Sequence, residues 1–255
     1  MSFKEEPHRI VEFYERLGGD IDIARARLDA DWKVRCLLEV IPNVKYESVL
    51  EVGSGSALVL KGIAGAVGAE KKISSDLSVS MLRAAKVELP EAIPVRAGAD
   101  HLPFRDSSIG LVILCDILEH VEDVPLVLKE TRRIAKNIAF KIPLEKCLMI
   151  KLQEIIRRKK SHGFGCHQSG HLYAWNKKDV LSILERAGFA PLLSYKLVDG
   201  PEEIRYYGRS DKLGGSSIYT RLYNWMEKNT YKRMRPVYRF LYGSTLVAFV
   251  EVKKG

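Results

Sequence analysis

Short runs of strand character recur along the chain at Val49–Val52, Lys72–Ser75, Ile93–Arg96, Leu111–Cys115, Ile138–Ile142, Leu192–Val198 and Leu246–Val252. Between them, apolar residues return at the spacing of amphipathic helices over Ala57–Val67, Val79–Val87, Val124–Ala135 and Lys178–Ala187. Strands alternating with helices predict crossover units and a parallel sheet. Leu111-Val112-Ile113-Leu114 is apolar throughout, as a central strand covered on both faces must be.

Other segments interrupt this rhythm. Residues before Lys45 read as helices, with Trp32, Leu37, Leu38 and Val40 as buried candidates. Leu144–Lys160 reads as an extra helix rich in Lys and Arg. Gly200–Tyr242 is too long for a hairpin loop. The expected organisation is one domain over residues 1–255. It has an N-terminal helical lid (1–45), a core (46–143) and two substrate-side insertions (144–175 and 200–243).

Composition changes this picture only a little. The chain of 255 residues is 46% hydrophobic and 29% charged, which suits a globular protein. It has no apolar run long enough to span a bilayer. Four scattered cysteines, Cys36, Cys115, Cys147 and Cys166, form no CxxC pair, so reduced thiols and a cytoplasmic location are expected. A net charge of +9 favours an anionic substrate, a nucleic acid or an acidic membrane surface.

Candidate chemistry begins at Ser48–Ala57, SVLEVGSGSA, where a strand runs into Gly53 and Gly55. Glycine there permits positive φ and lets a ligand approach the backbone. A dinucleotide fingerprint needs a third glycine, but position 58 is Leu58, and no phosphate-loop GxxxxGK[ST] occurs. Glu51, just before the turn, would repel a pyrophosphate and suits a ligand carrying an ammonium or sulfonium. Asp76 ends the second strand, where a carboxylate can accept from ribose hydroxyls. Asp100 lies in the loop after the third.

Together VLEVGSGSA, SSDLSVSMLRAA, AGADHLPFRDSSIGLVILCDILEHVED and GHLYAWNKKDVLSILERAGF resemble the class I S-adenosylmethionine-dependent methyltransferases. The resemblance is closest to the type 11 group related to ubiquinone and menaquinone methyltransferases, over roughly Val49 to Phe189. It implies an α/β fold: a Rossmann-like, doubly wound, mostly parallel seven-stranded sheet with helices on both faces. The last strand would be antiparallel, and helical lid insertions would be added. It also implies S-adenosylmethionine as cofactor. By position, Glu51 would orient the glycine turn and the methionine ammonium, while Gly53, Ser54 and Gly55 line the cofactor. Asp76 would hold the ribose and Leu77 pack on adenine, with Ala99, Asp100 and His101 at the adenine edge. Cys115 and Asp116 would flank the methionine moiety, and Tyr14 would be the lid tyrosine. Ala57 stands where many relatives carry a third glycine.

Methyl transfer is mostly alignment, but a hydroxyl acceptor also needs a base. His120, in Ile117-Leu118-Glu119-His120-Val121, is the first candidate and His171 the second. A structural role for His120 is the alternative. The small-molecule acceptor would be a metabolite, sugar or lipid precursor, with O-methylation favoured. RNA is an alternative acceptor, given the interleaved aromatic and basic residues between Arg205 and Tyr242. Peripheral membrane contact is another reading of that segment, and a non-catalytic S-adenosylmethionine-binding protein a further one. No metal is expected. However, Asp116-x-x-Glu119-His120 resembles the run that helps hold Mg²⁺ in ubiquinone O-methyltransferases and small-RNA 2′-O-methyltransferases. Mg²⁺ at Asp116, Glu119 and His120 is therefore the alternative. His162, Cys166, His167 and His171 match no common structural zinc spacing, and a substrate loop is expected there.

Overall fold

The computed structural model describes residues 23–148, 151, 171–189, 194–199 and 234–252. Its strands are β1 (Ser48–Val52), β2 (Lys71–Asp76), β3 (Ile93–Arg96), β4 (Ile109–Cys115), β5 (Ala135–Leu144), β6 (Ser194–Val198) and β7 (Ser244–Glu251). The described helices are α1 (Ile23–Leu38), α2 (Leu58–Ala66), α3 (Val79–Glu88), α4 (Val124–Ile134), α5 (Lys177–Arg186) and α6 (Arg235–Tyr242). A 3₁₀ turn covers Leu118–His120.

The sheet order is β3-β2-β1-β4-β5-β7-β6. Strands β1 to β5 pair in parallel, and β7 runs antiparallel between β5 and β6. This is the seven-stranded, mostly parallel sheet expected from the sequence, with its last strand reversed. The order turns back between β1 and β4, which opens a crevice beyond their carboxyl ends.

Period-two alternation divides the core into two layers. Val49, Leu111, Ile113, Ala139, Val247 and Phe249 face one side, with buried residues of α1, α2 and α3. Leu50, Val112, Leu114, Ile138, Phe140, Leu246 and Ala248 face the other, with α4 and α5. Within α1 and just beyond it, Leu37 and Val40 are buried, while Trp32 and Leu38 pack partly buried against the first layer.

The sequence differs from the structure mainly around β5. That strand begins at Ala135, where the helical pattern had extended, and runs to Leu144, where an extra helix was expected. Pairing with β7 from Asn137↔Glu251 to Leu144↔Ser244 satisfies the backbone over this length and so outweighs local helix preference. Glu145, Lys146 and Cys147 are not helical, whereas Leu148 and Lys151 are; the rest of the expected helix lies outside the described residues. So do Tyr14, His162, Cys166, His167 and most of 200–243. No described helix is long and apolar enough to cross a membrane.

Candidate functional site

The turn after β1 is built from residues at positive φ: Gly53 (68°), Gly55 (51°) and Ala57 (59°). A Cβ on Gly53 would collide with the Ile117 side chain, whereas one on Gly55 would stand in open space with no atom within 4 Å. Gly53 is thus a packing requirement and Gly55 an opening. Glu51 is 3% exposed, and its Oε2 accepts a 2.9 Å bond from the Leu60 amide in the first turn of α2. Burial pushes its carboxyl up to about 8. The Leu60 amide and Lys33 work against that rise, while Asp76 and Asp116 add to it. The Asp76 carboxylate spans two segments, accepting from the Gly55 amide (2.9 Å) and the Ser78 amide (2.9 Å). A second brace joins the hydroxyls of Ser54 and Ser74, 2.6 Å apart. Leu77 is exposed beside Asp76.

At the tip of β4, Asp116 also has positive φ (51°). Its two oxygens each lie 2.7 Å from the Lys141 ammonium of β5, and Oδ2 lies 3.1 Å from Lys33 of α1. Burial opposes the charge, but the two lysines outweigh it and hold the carboxyl down at about 2. The Lys33–Asp116 contact fastens α1 to the crevice, and Lys33 also pairs with Asp29 within α1 at 2.8 Å. The neighbouring Cys115 thiol is raised well above its ordinary value by burial and by Asp116, so it stays protonated.

The loop after β3 carries Ala99, Asp100 and His101. It is anchored from α4, where Glu130 accepts from the Leu102 amide (2.8 Å) and Arg133 donates to the Leu102 and Phe104 carbonyls. The His101 ring is largely exposed, with Nδ1 3.6 Å from Asp100. A cavity of about 1060 Å³ opens between this loop, α4, α5, Tyr173 and Trp175. It lies apart from Glu51, Asp76 and Asp116, and among the expected site residues only Asp100 and His101 line it. Charge and backbone geometry therefore locate the crevice better than volume does.

Beyond the β4 tip, His120 and His171 meet edge to face with ring centroids 4.7 Å apart. Residues fifty-one apart in sequence are joined here because the Leu172 amide donates to the Glu119 carbonyl (2.7 Å). His171 Nδ1 lies 2.6 Å from Glu145 Oε2. Burial works against a charged His171 ring, yet Glu145, Glu119 and Asp116 outweigh it and raise its pKa. The Glu119 side chain is buried, and burial and Asp116 push its carboxyl up to about 8, with its own amide and His171 pulling the other way. The ligand atoms of Glu119, His120 and His171 lie within 4.8 Å of one another. Of the residues in the expected Mg²⁺ alternative, Glu119 and His120 stand in this group with His171, whereas the Asp116 carboxylate is paired with Lys141 and Lys33.

The sequence reading missed Lys33, Lys141 and Glu145. Lys141 did leave a signal, as a lone cation within the apolar strand Ile138–Ile142 that had to find a counter-ion.

Comparison with known proteins bears on the same region. Residues 50–139 match the methyltransferase-domain family model. The ubiquinone/menaquinone biosynthesis C-methyltransferase UbiE of Rickettsia prowazekii (strain Madrid E) is 29% identical over 196 residues, 72% of this chain and 76% of the relative. A methyltransferase in complex with the Trm112 activator of Haloferax volcanii superposes with a TM-score of 0.64 at 16% identity, covering 94% of this chain and 98% of that one. Phosphoethanolamine N-methyltransferase 2 of Haemonchus contortus, in complex with phosphomonomethylethanolamine and S-adenosylhomocysteine, superposes with a TM-score of 0.56 at 15% identity. The match covers 88% of this chain and 53% of that one. At these identities the two structures speak to the fold.

Proposed function

The chain belongs to the type 11 S-adenosylmethionine-dependent methyltransferases, and from that premise we propose that it methylates the hydroxyl of a small anionic acceptor. The observation that carries the cofactor site is the open space over Gly55 between two acids, Glu51 and Asp76. When bound, S-adenosylmethionine supplies an activated methyl group on a sulfonium. Glu51 attracts the ammonium of the methionine moiety while its oxygen holds α2 in place. A carboxylate has about four acceptor positions, so Asp76 keeps its two backbone bonds and accepts from the ribose hydroxyls as well. Leu77 packs on adenine, and Asp100 accepts from the adenine amine with Ala99 and His101 alongside. Gly53, Ser54 and Gly55 line the turn, and Cys115 and Asp116 lie toward the methionine end. His120 and His171 form the acceptor side, where the hydroxyl loses its proton. The net charge of +9 favours an anionic acceptor.

Calorimetry with S-adenosylmethionine tests the cofactor site. Asp76→Ala should weaken binding about 100-fold, the worth of two charge-assisted hydrogen bonds; unchanged affinity removes Asp76 from the ribose. A panel of hydroxylated metabolites, read by S-adenosylhomocysteine formation, tests the acceptor. His120→Ala should spare cofactor affinity and slow turnover, and equal rates would leave His120 structural. Turnover on RNA with steep salt dependence would replace the small-molecule reading.

A further inference from the structure

The methionine end of S-adenosylmethionine carries an ammonium and a carboxylate, and a site that takes both out of water needs a counter-charge for each. Glu51 answers the ammonium. Lys33 of α1 stands within electrostatic reach of it: burial raises the Glu51 carboxyl, and the Lys33 charge draws it back down. The Lys33 ammonium lies 2.8 Å from Asp29 and 3.1 Å from Asp116. An ammonium has three donors, so these contacts leave one over. Asp29 is 41% exposed on the same helix, and such a surface pair holds its lysine only weakly. The Lys33 side chain is 23% exposed, whereas Lys141 is more deeply buried and has both its contacts on Asp116. With two lysines on one carboxylate, the tip of β4 carries a surplus positive charge.

Packing fixes where that ammonium stands. Val34, the next residue, lies so close to Gly62 of α2 that a Cβ there would come within 2.5 Å of its side chain. The same helix gives the Leu60 amide to Glu51. Glu51 and Lys33 are thus registered against each other through α2.

We propose that Lys33 binds the α-carboxylate of the cofactor, so that Glu51 and Lys33 together select a zwitterionic methionine moiety. The inference rests on the cofactor reading above and deepens it. The Lys33 ammonium exchanges its exposed partner Asp29 for the ligand and keeps Asp116, whose pairing with Lys141 is undisturbed. A nucleoside without the carboxylate leaves this lysine unanswered, and the site discriminates against it.

The test pairs S-adenosylmethionine with its decarboxylated form, which keeps the sulfonium and the ammonium and lacks only the carboxylate. In calorimetry on the full chain at neutral pH, the parent should bind the carboxylated ligand about 10- to 100-fold more tightly, the worth of a charge-assisted contact. Lys33→Met should bring the two affinities to within about threefold of each other by weakening only the carboxylated ligand. Lys33→Arg keeps the charge and should restore most of the preference. Glu51→Gln should weaken both ligands alike, because both carry the ammonium. Each ratio is taken within one protein, so a change in stability cancels. Equal affinities in the parent overturn the proposal without any variant and leave the cofactor reading standing. An equal loss of both ligands in Lys33→Met also overturns it, and makes Lys33 a support for Asp116 alone. Binding of neither ligand by the parent removes the cofactor reading and this inference with it.

Discussion

The two halves of the crevice treat their acids in opposite ways. At the tips of β1, β2 and β4, each carboxylate is held: Glu51 by the Leu60 amide, Asp76 by Gly55 and Ser78, Asp116 by two lysines. Past the 3₁₀ turn, Glu119 is buried with neither oxygen bonded. The first half is arranged before any ligand arrives, which lowers the reorganisation that binding requires. The second half instead keeps Glu119 neutral: burial and Asp116 push its carboxyl up to about 8, beside the His120 and His171 rings.

The strongest way to break that contrast is to make the first half resemble the second. Lys141→Met removes both 2.7 Å contacts to Asp116 and leaves only Lys33 beside a partly buried charge. The expected loss is about 3 kcal/mol, the low end for breaking a buried pair, read by urea unfolding. Adding Asp116→Asn should recover part of it; a neutral Lys141→Met would show that the pair has no structural weight. Acid sharpens the same point. With Asp116 held near 2, its contribution is complete above the ordinary carboxylate pKa of about 4. It disappears as pH falls through the folded value, giving an acid-side loss of about 2 kcal/mol in the parent that Lys141→Met should lack.

Glu51 gives the next largest effect, and its sign is reversed. A folded pKa of about 8 lies above the unfolded value, so the folded chain binds the extra proton at intermediate pH. Ligand-free stability therefore falls as pH rises between those two values, by up to about 1.4 kcal/mol per pH unit. Glu51→Gln should be flat across that window and should overtake the parent near pH 8. For cofactor binding the trend opposes this one. A cationic ligand needs the ionised carboxylate, so affinity should improve roughly 25-fold from pH 6 to 8 with proton release. It should then stop improving as the ligand's own α-amino group begins to lose its charge. Affinity independent of pH, with no proton released, would place the ammonium away from Glu51.

The same contrast decides what could be read from the sequence. The strand–helix alternation was visible because each crossover buries its own apolar face, and the register of β1, β2 and β4 follows from that burial. Glu51, Gly53, Gly55 and Asp76 could be picked out as candidates because each stands at a strand tip or in the glycine turn that follows β1. Lys33, Lys141 and Glu145 were not: each meets its partner through tertiary packing, across 83, 25 and 26 positions of chain. The extension of β5 to Leu144 was hidden for a similar reason, since β7, a hundred residues later, supplies the hydrogen bonds.

The smallest effect separates two residues of one turn that share a backbone conformation. Gly55 and Ala57 both have φ between 50° and 60°, but Gly55 faces open space while the Ala57 methyl is fully buried. Gly55→Ala should cost about 1 kcal/mol in stability for the left-handed conformation. It should also weaken cofactor binding, because the new methyl projects into the crevice. In Ala57→Gly the relief of that strain, about 1–2 kcal/mol, is offset by the lost burial of one methyl and by a looser unfolded chain. Its net change should stay within about 0.5 kcal/mol, with cofactor affinity untouched. Equal losses of affinity in both variants would mean that the turn acts only through its backbone shape. A loss confined to Gly55→Ala identifies the side of the turn on which the ligand lies.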